Sequence, residues 1–315
     1  MGRAHGFDVI SDNEKGKPMT PATQESYRKL AANFYKTRLQ GQPHSPKRIA
    51  DALKSCAGEY RPAYWRRLRN ALSFDQREKG YADAAERINA VKNPITKAGD
   101  QVKPKQARTR RIKPEDEKKL LDHLIKTGDR ETYSAIQIAK ITGARPSEFN
   151  QIFVQGSTIY IEGAKKSHGG TRGADRAIEV SQAEAMLVDA ALKRIPDDIG
   201  PIQDKLRAAG KKLWPQRKSV PSLYSWRHQL GSELKASGMD RRVIAYLMGH
   251  QSTASVDRYG NPRMATGGKV LPKPAEGVEL DQIRVKHSDP PSPAVEKAEQ
   301  DRSSKWTHDD GLNLG

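Results

Sequence analysis

Apolar residues recur along most of this chain at spacings of three and four, the period of a helix with one buried face. After about 20 mainly polar residues, Thr20 or Thr23 opens a helix that places Tyr27, Leu30, Ala31 and Phe34 together. Ser45-Pro46 opens a second, with proline at its tolerated first turn. The pattern predicts a third helix over Tyr60–Lys79, with Tyr64, Trp65, Leu68, Leu72 and Phe74 inward, and a fourth over Tyr81–Val91. Pro114–Thr127 has an acidic first turn (Glu115, Asp116, Glu117), inward Leu120, Leu121, Leu124 and Ile125, and Gly128 as its stop. Thr132–Thr142, Ser181–Ile195 and Pro201–Trp214 are further helices. Two segments alternate instead with a period of two, Ser157–Glu162 and Arg176–Val180, and the glycine-containing 163–170 between them suits a flexible β-loop.

The richest stretch runs from Val220 to Tyr259. A helix from Ser222 carries Leu223, Trp226, Leu230 and Leu234 on one stripe and Tyr224, Arg227, His228 and Gly231 on the neighbouring face. An arginine beside the core stripe, with a glycine one turn on, suits a helix that another segment approaches closely. Asp240 caps the next helix, Val243, Ile244, Leu247 and Met248 face inward, and Gly249 stops it directly before His250. Ser252 then caps a short third helix that carries Tyr259.

Charge narrows the partners. The 315 residues carry a net charge of +18, which points to a polyanion held through phosphate contacts. Cys56 is the single cysteine, which excludes a disulfide framework and a cysteine-based zinc site. No apolar run reaches membrane-span length and no signal sequence opens the chain, so a cytoplasmic protein with no membrane partner is expected. Taken alone, two short helices joined at a glycine on a basic chain also describe a helix-turn-helix DNA reader.

Three strings and a tyrosine separate these readings. Tyr224-Ser225-Trp226-Arg227, Leu247-Met248-Gly249-His250 and Tyr259 resemble the carboxy-terminal active-site motifs of tyrosine recombinases, the phage integrase family, with intervals of 23 (250 − 227) and 9 (259 − 250) that fit it. Upstream, Thr142-Gly143-Ala144-Arg145-Pro146-Ser147-Glu148 resembles the family's box around its first arginine. One position departs, since Tyr224 stands where the family usually has histidine. The resemblance implies a mostly α fold with a small β-hairpin or sheet, in which a helical core-binding domain and a catalytic domain clamp duplex DNA. It covers residues from about 20 to 262, and with about 20 residues before the first helix it implies no additional amino-terminal arm-binding domain. On that basis the chain divides into a disordered start (1–20), a helical, SAM-like DNA-binding domain (21–96), a basic linker (97–111), a catalytic domain (112–265) and a largely disordered tail (266–315). Residues 266–315 hold seven Lys or Arg against nine Asp or Glu, so the tail is net −2 beside a body of +20. Within it, Val278–Val285 could pair or dock, which suits the family's exchange of carboxy-terminal elements between protomers.

The resemblance assigns roles. Arg145 and Arg227 hold the scissile phosphate, His250 adds a hydrogen bond, Tyr259 is the nucleophile, and Glu148 orients Arg145. Lys166 on the hairpin, rather than Lys165, protonates the leaving 5′ oxygen, and Tyr224 positions phosphate or nucleophile. Two guanidinium forks match phosphate geometry and stay charged at any working pH, so the chemistry needs neither metal nor cofactor. Arg61, Arg66 and Arg67 of the third helix and Lys103, Lys105, Arg108, Arg110 and Arg111 of the linker are expected on DNA phosphates; His168, Arg172 and Arg176 are further candidates. The implied activity is site-specific recombination through a 3′-phosphotyrosyl link. Its partners are a double-stranded recombination site, further copies of the chain as a tetramer on paired sites, and room for an accessory DNA-binding factor. The alternatives are a type IB topoisomerase-like relaxing enzyme and a regulator that binds DNA without cutting it.

Overall fold

No amphipathic helix can bury its apolar stripe alone, and the first four stripes of this chain cover one another. In the computed structural model, residues 19–95, 102–163 and 174–286 are described, and the chain separates into two units, Met1–Gln106 and Ala107–Gly315. The first unit contains α1 (Pro21–Phe34), α2 (Pro46–Ser55), α3 (Pro62–Glu78) and α4 (Ala82–Asn89). Thr20 caps α1 and Ser45 caps α2, each hydroxyl accepting a free first-turn N–H. A π-helical turn, Tyr35–Leu39, extends α1 until Gln40 and Gly41, both at positive φ, reverse the chain. Phe34, Ile49, Leu53, Trp65, Leu72 and Ile88 form the core, and the Trp65 indole donates to the Leu53 carbonyl at 2.7 Å. Tyr64 does not join them. It is 41% exposed, because Trp65, Leu68 and Leu72 already fill the inward stripe of α3.

The second unit is built round α6 (Arg130–Thr142), a helix buried over most of its circumference, as its sequence of Ala, Ile, Ser and Thr allows. It packs against α5 (Pro114–Thr127), α7 (Gln182–Leu192), α8 (Gly200–Leu213) and α9 (Leu223–Ala236). The expected α9 stripe of Leu223, Trp226, Leu230 and Leu234 is wholly buried. The acidic first turn of α5 is tied down by Arg217 on Asp116 (2.8 and 2.9 Å), and by Trp226 and Lys140 on Glu117 (3.1 and 2.9 Å). Ile125 is 66% exposed, lying about a hundred degrees round the helix from buried Leu124. α10 (Arg241–Leu247), capped by Asp240, leads to a short 3-10 helix, Thr253–Arg258, capped by Ser252. Tyr259 lies just past this last helix in extended backbone rather than within it.

The sheet has four short strands in the order β1 (Ile152–Gln155), β2 (Thr158–Ile161), β3 (Arg176–Glu179) and β4 (Lys273–Pro274), each antiparallel to the next. β2 and β3 are the two strands the alternation predicts. β4 comes from the tail, which corrects the expectation of disorder as far as residue 286. Glu233 of α9 accepts from the Thr266 backbone and hydroxyl (2.8 and 2.7 Å) and from the Gly267 N–H (3.1 Å). Further on, Ile283 is 2% exposed, and backbone bonds join Arg284 to Gln251 and Thr253 (3.1 and 3.0 Å). The docked part of Val278–Val285 therefore packs on its own chain, through one buried side chain and backbone bonds that net composition does not reveal. Residues 287–315 lie outside the described residues. No helix among the described residues is long and apolar enough to cross a membrane.

Ile283→Ala should therefore destabilise the second unit by about 2–5 kcal/mol, the usual cost of emptying a buried isoleucine site. Val285→Ala, at a 44% exposed position, should stay within about 0.5 kcal/mol. Urea denaturation of the two variants compares them directly.

Candidate active site

Three turns that end helices, together with β3 and α9, bring the candidate residues together. α6 ends at Gly143, whose φ of +60° turns the chain tightly against α9, since a Cβ there would stand 2.6 Å from Leu230. Two residues on, Arg145 precedes a 3-10 helix, Pro146–Gln151, that starts with proline and so leaves no donor unpaired at that position. Glu148 folds back: one carboxylate oxygen accepts from Arg145 Nη1 at 2.5 Å, the other from the Arg145 backbone N–H at 2.9 Å. That second oxygen also accepts from Arg176 Nη2 at 3.0 Å.

Arg176 thus belongs to this network and not to a DNA-facing loop. It is 3% exposed, and the alternation of β3 that buries Ile178 buries Arg176 on the same face. Its Nη1 would lie 2.5 Å from a Cβ on Gly249 (φ +59°), so only glycine fits where α10 turns towards His250. Arg227, 0% exposed on α9, donates to the carbonyl of Gly143 and, through Nη2, to that of Met248. The same Nη2 lies 3.2 Å from His250 Nε2. Arg145 Nη2 donates to the Gly249 carbonyl at 3.2 Å.

The Tyr259 ring lies against this cluster. Arg227 Cζ stands 4.9 Å from its centroid, and the His250 and His228 rings at 5.1 and 5.0 Å. The segment after it is drawn onto α9. Gly260 has φ +69°, and a Cβ there would fall 2.4 Å from the Gly231 carbonyl carbon. Gly231 is the glycine one turn past Arg227 that the sequence marks for close approach. Ser232 Oγ accepts from Asn261 N–H at 3.0 Å, and Lys235 donates to the Gly260 carbonyl at 3.1 Å. Tyr224 is 40% exposed, and its phenol is pushed up, first by burial and next by Tyr259.

Charge in the cluster is one-sided, with three guanidiniums to one carboxylate. Burial alone would raise Glu148, but Arg176 and Arg145 overcome it and hold the carboxyl at about 2. Burial, then Arg227 and Arg145, depress His250 to about 2, so it is neutral. Because its Nε2 faces an arginine donor, the proton is assigned to Nδ1, which is buried with no hydrogen-bond partner among the described residues. Arg227 Nε and Arg176 Nε and Nη1 are likewise buried without one. Burial and the neighbouring arginines push Arg227 below its ordinary value, although a guanidinium so lowered is still a cation at neutral pH. Buried donors on this scale suit an anion with several acceptor oxygens.

Lys165, Lys166, His168 and Arg172 lie outside the described residues. In the first unit, Arg66 and Arg67 are exposed and Arg61 is half-buried. Lys103, Lys105, Arg108, Arg110 and Arg111 are all exposed, and Lys103 donates to the Glu59 carbonyl at 2.9 Å. Arg108 and Arg110 lie near enough to His228 to disfavour its charge, and Ser225 of α9 donates to the Thr109 carbonyl at 2.7 Å. This end of the basic stretch therefore runs beside the site.

Residues 110–265 match the phage integrase family. The chain belongs to that family. It is a tyrosine recombinase, an enzyme of DNA breakage and rejoining. The recombinase is similar in fold to a lambda integrase (75–356) dimer bound to a COC′ core site, at a TM-score of 0.54 and 18% identity over 80% of this chain and 93% of that one. A lambda integrase tetramer bound to a Holliday junction gives 0.53 and 18%, over 81% and 76% of the two chains. The Tn1549 transposon integrase in complex with a circular intermediate DNA gives 0.51 and 15%, over 79% and 91%. A comparison with curated protein sequences found no match.

Glu148→Gln should cost about 3–5 kcal/mol by leaving two buried guanidiniums without their carboxylate. Because Glu148 is depressed from 4.5 to about 2, its stabilising effect is whole above pH 4.5 and disappears as pH falls through 2. Urea titrations at several pH values should thus show a shallower acid loss in the variant than in the parent, with the largest gap between them near neutrality.

Proposed function

We propose that this recombinase exchanges DNA strands at specific paired sites through a covalent bond between Tyr259 and a 3′ phosphate. The observation that carries the reading is the convergence of Arg145, Arg227 and His250, from three separate segments, into one cluster in which Arg227 and His250 lie against the ring of Tyr259. The Tyr259 phenol gives its proton to water, its oxygen attacks phosphorus, and the bond to the 5′ oxygen breaks. That oxygen takes a proton from Lys166 and departs as a 5′-hydroxyl. A 5′-hydroxyl from the partner duplex then gives its proton to Lys166 and attacks the phosphotyrosine, and the tyrosine leaves, its proton restored from water. Bond energy is conserved across the two transfers, so no external energy source is required.

Each residue's part follows from its surroundings. Arg145 and Arg227 neutralise the non-bridging oxygens as charge builds there, in a site whose donors are already oriented. The Nδ1–H of His250 is free to donate to one of them. Tyr224, at the exposed edge, positions the phosphate or nucleophile. Glu148 acts through Arg145, and both its oxygens are taken by arginines. The cationic groups do the work a divalent ion would do, so the proposed chemistry is metal-free. Arg61, Arg66, Arg67 and the basic residues from Lys103 to Arg111 contact phosphates along the site. Lambda integrase structures hold a dimer on a core site and a tetramer on a Holliday junction, which supports assembly of several copies of this chain on DNA.

A duplex selected by the protein from a random-sequence pool, nicked near the crossover to trap cleavage, provides the assay. Tyr259→Phe should bind it as the parent does and form no covalent adduct, in the presence or absence of EDTA. An adduct with the phenylalanine variant would place the nucleophile elsewhere.

Lys166→Ala should slow cleavage by about 10²–10⁴-fold, the range for a lost general acid, and Lys165→Ala much less. Sulfur in place of the bridging 5′ oxygen leaves without a proton, so it should rescue Lys166→Ala and not a loss of Arg145. Rescue of Lys165→Ala instead would transfer the acid role to that residue.

A further inference from the structure

One ring packed on Tyr259 has no part in the chemistry above. His228 follows Arg227 on α9 and is half-buried. Its imidazole stacks on the Tyr259 ring, with centroids 5.0 Å apart and planes 28° from parallel. Its Nδ1 accepts the backbone N–H of Gly260, the next residue, at 3.4 Å. The same side chain therefore meets the tyrosine twice, once at the ring and once at the peptide that follows it.

We infer that His228 is a positioning residue for the nucleophile, setting both the plane of the Tyr259 ring and the path of the backbone behind it. The inference rests on the assignment of Tyr259 as nucleophile. An imidazole suits the task because it combines a flat face with an acceptor at its edge. Phenylalanine has only the face, and asparagine only the acceptor. The proton state agrees: burial, then Arg110, Arg227 and Arg108, hold His228 down at about 4, so Nδ1 keeps its lone pair at neutral pH. With Nδ1 accepting, the ring proton resides on Nε2. With Nε2 protonated and Nδ1 engaged, His228 is unsuited to take the tyrosine proton, so it acts through Tyr259 and not on the reacting atoms. The glycine pair beneath, Gly231 and Gly260, lets the backbone come close enough for the Nδ1 contact.

The test uses the full chain in two readouts. In free protein carrying 3-fluorotyrosine at position 259, the ¹⁹F resonance reports the ring's surroundings. His228→Ala should move it towards the value of solvent-exposed fluorotyrosine, and His228→Phe should hold it nearer the parent position. In single-turnover cleavage of the selected nicked duplex, His228→Ala should be about 10²-fold slower, the scale of a 1 Å misplacement of a reacting group. Its DNA affinity and melting temperature should stay near the parent's. His228→Asn, which keeps an acceptor where Nδ1 lies, should recover part of the rate. Should the alanine variant fold poorly, the phenylalanine and asparagine variants decide: parent-rate cleavage by both overturns the inference. An unmoved ¹⁹F signal with parent-rate cleavage by His228→Ala also overturns it, as does a rate loss matched by equal loss of DNA binding. Mass spectrometry of the adduct separates the two ideas. Attachment to another tyrosine ends the nucleophile assignment and this inference with it, whereas attachment to Tyr259 at parent rate in His228→Ala ends this inference alone.

Discussion

The carboxylate of Glu148 is the interaction on which the site depends. Three guanidiniums gathered in a water-poor interior repel one another, and their burial costs hydration that a loose assembly could not recover. Glu148 answers both problems by serving Arg145 with one oxygen and Arg176 with the other. Among the described residues Arg227 has no hydrogen-bonded carboxylate and is steadied by the carbonyls of Gly143 and Met248. Those bonds tie the end of α6 to the end of α10 through a side chain of α9. The same contacts that keep the fold closed therefore hold the cationic groups in place before any anion arrives, which is how preorganised electrostatic sites avoid reorganisation during reaction.

Much of this was legible in the sequence, for a physical reason. A turn that must present an arginine and return a carboxylate to it needs both within one helical turn, so Arg145 and Glu148 lie three residues apart. Likewise the stripe of Leu223, Trp226, Leu230 and Leu234 has to follow the helical period. Arg176 was harder to see, yet a signal existed: it sits two residues before Ile178 on a strand and so shares its inward face. A cation on a core face requires a buried partner, and Glu148, already given to Arg145, is the one carboxylate in the quoted motif strings. His228 was visible as a neighbour of Arg227, but its contact with Tyr259 depends on a three-dimensional approach that no local spacing encodes.

The tail illustrates the opposite case. Composition described residues beyond 265 as acidic and rich in proline, with too little apolar content to fold alone. What orders residues 266–286 is one buried isoleucine, two residues of sheet pairing and a carboxylate on α9. Such docking borrows a core already formed by the rest of the unit, and a local average is blind to it.

The contact between Gly231 and Gly260 has one more consequence. With a glycine pressed against the backbone of α9 immediately after it, the α-carbon of Tyr259 cannot swing far without breaking that seat. On the proposal that Tyr259 is the nucleophile, whatever distance its oxygen covers to meet a phosphate has to come from rotation about the side-chain bonds. Exposed side-chain rotations are completed in picoseconds to nanoseconds and loop rearrangements far more slowly. The readiness of this tyrosine would then be governed by how tightly two imidazoles and a guanidinium hold its ring, a matter of torsional freedom and not of chain folding.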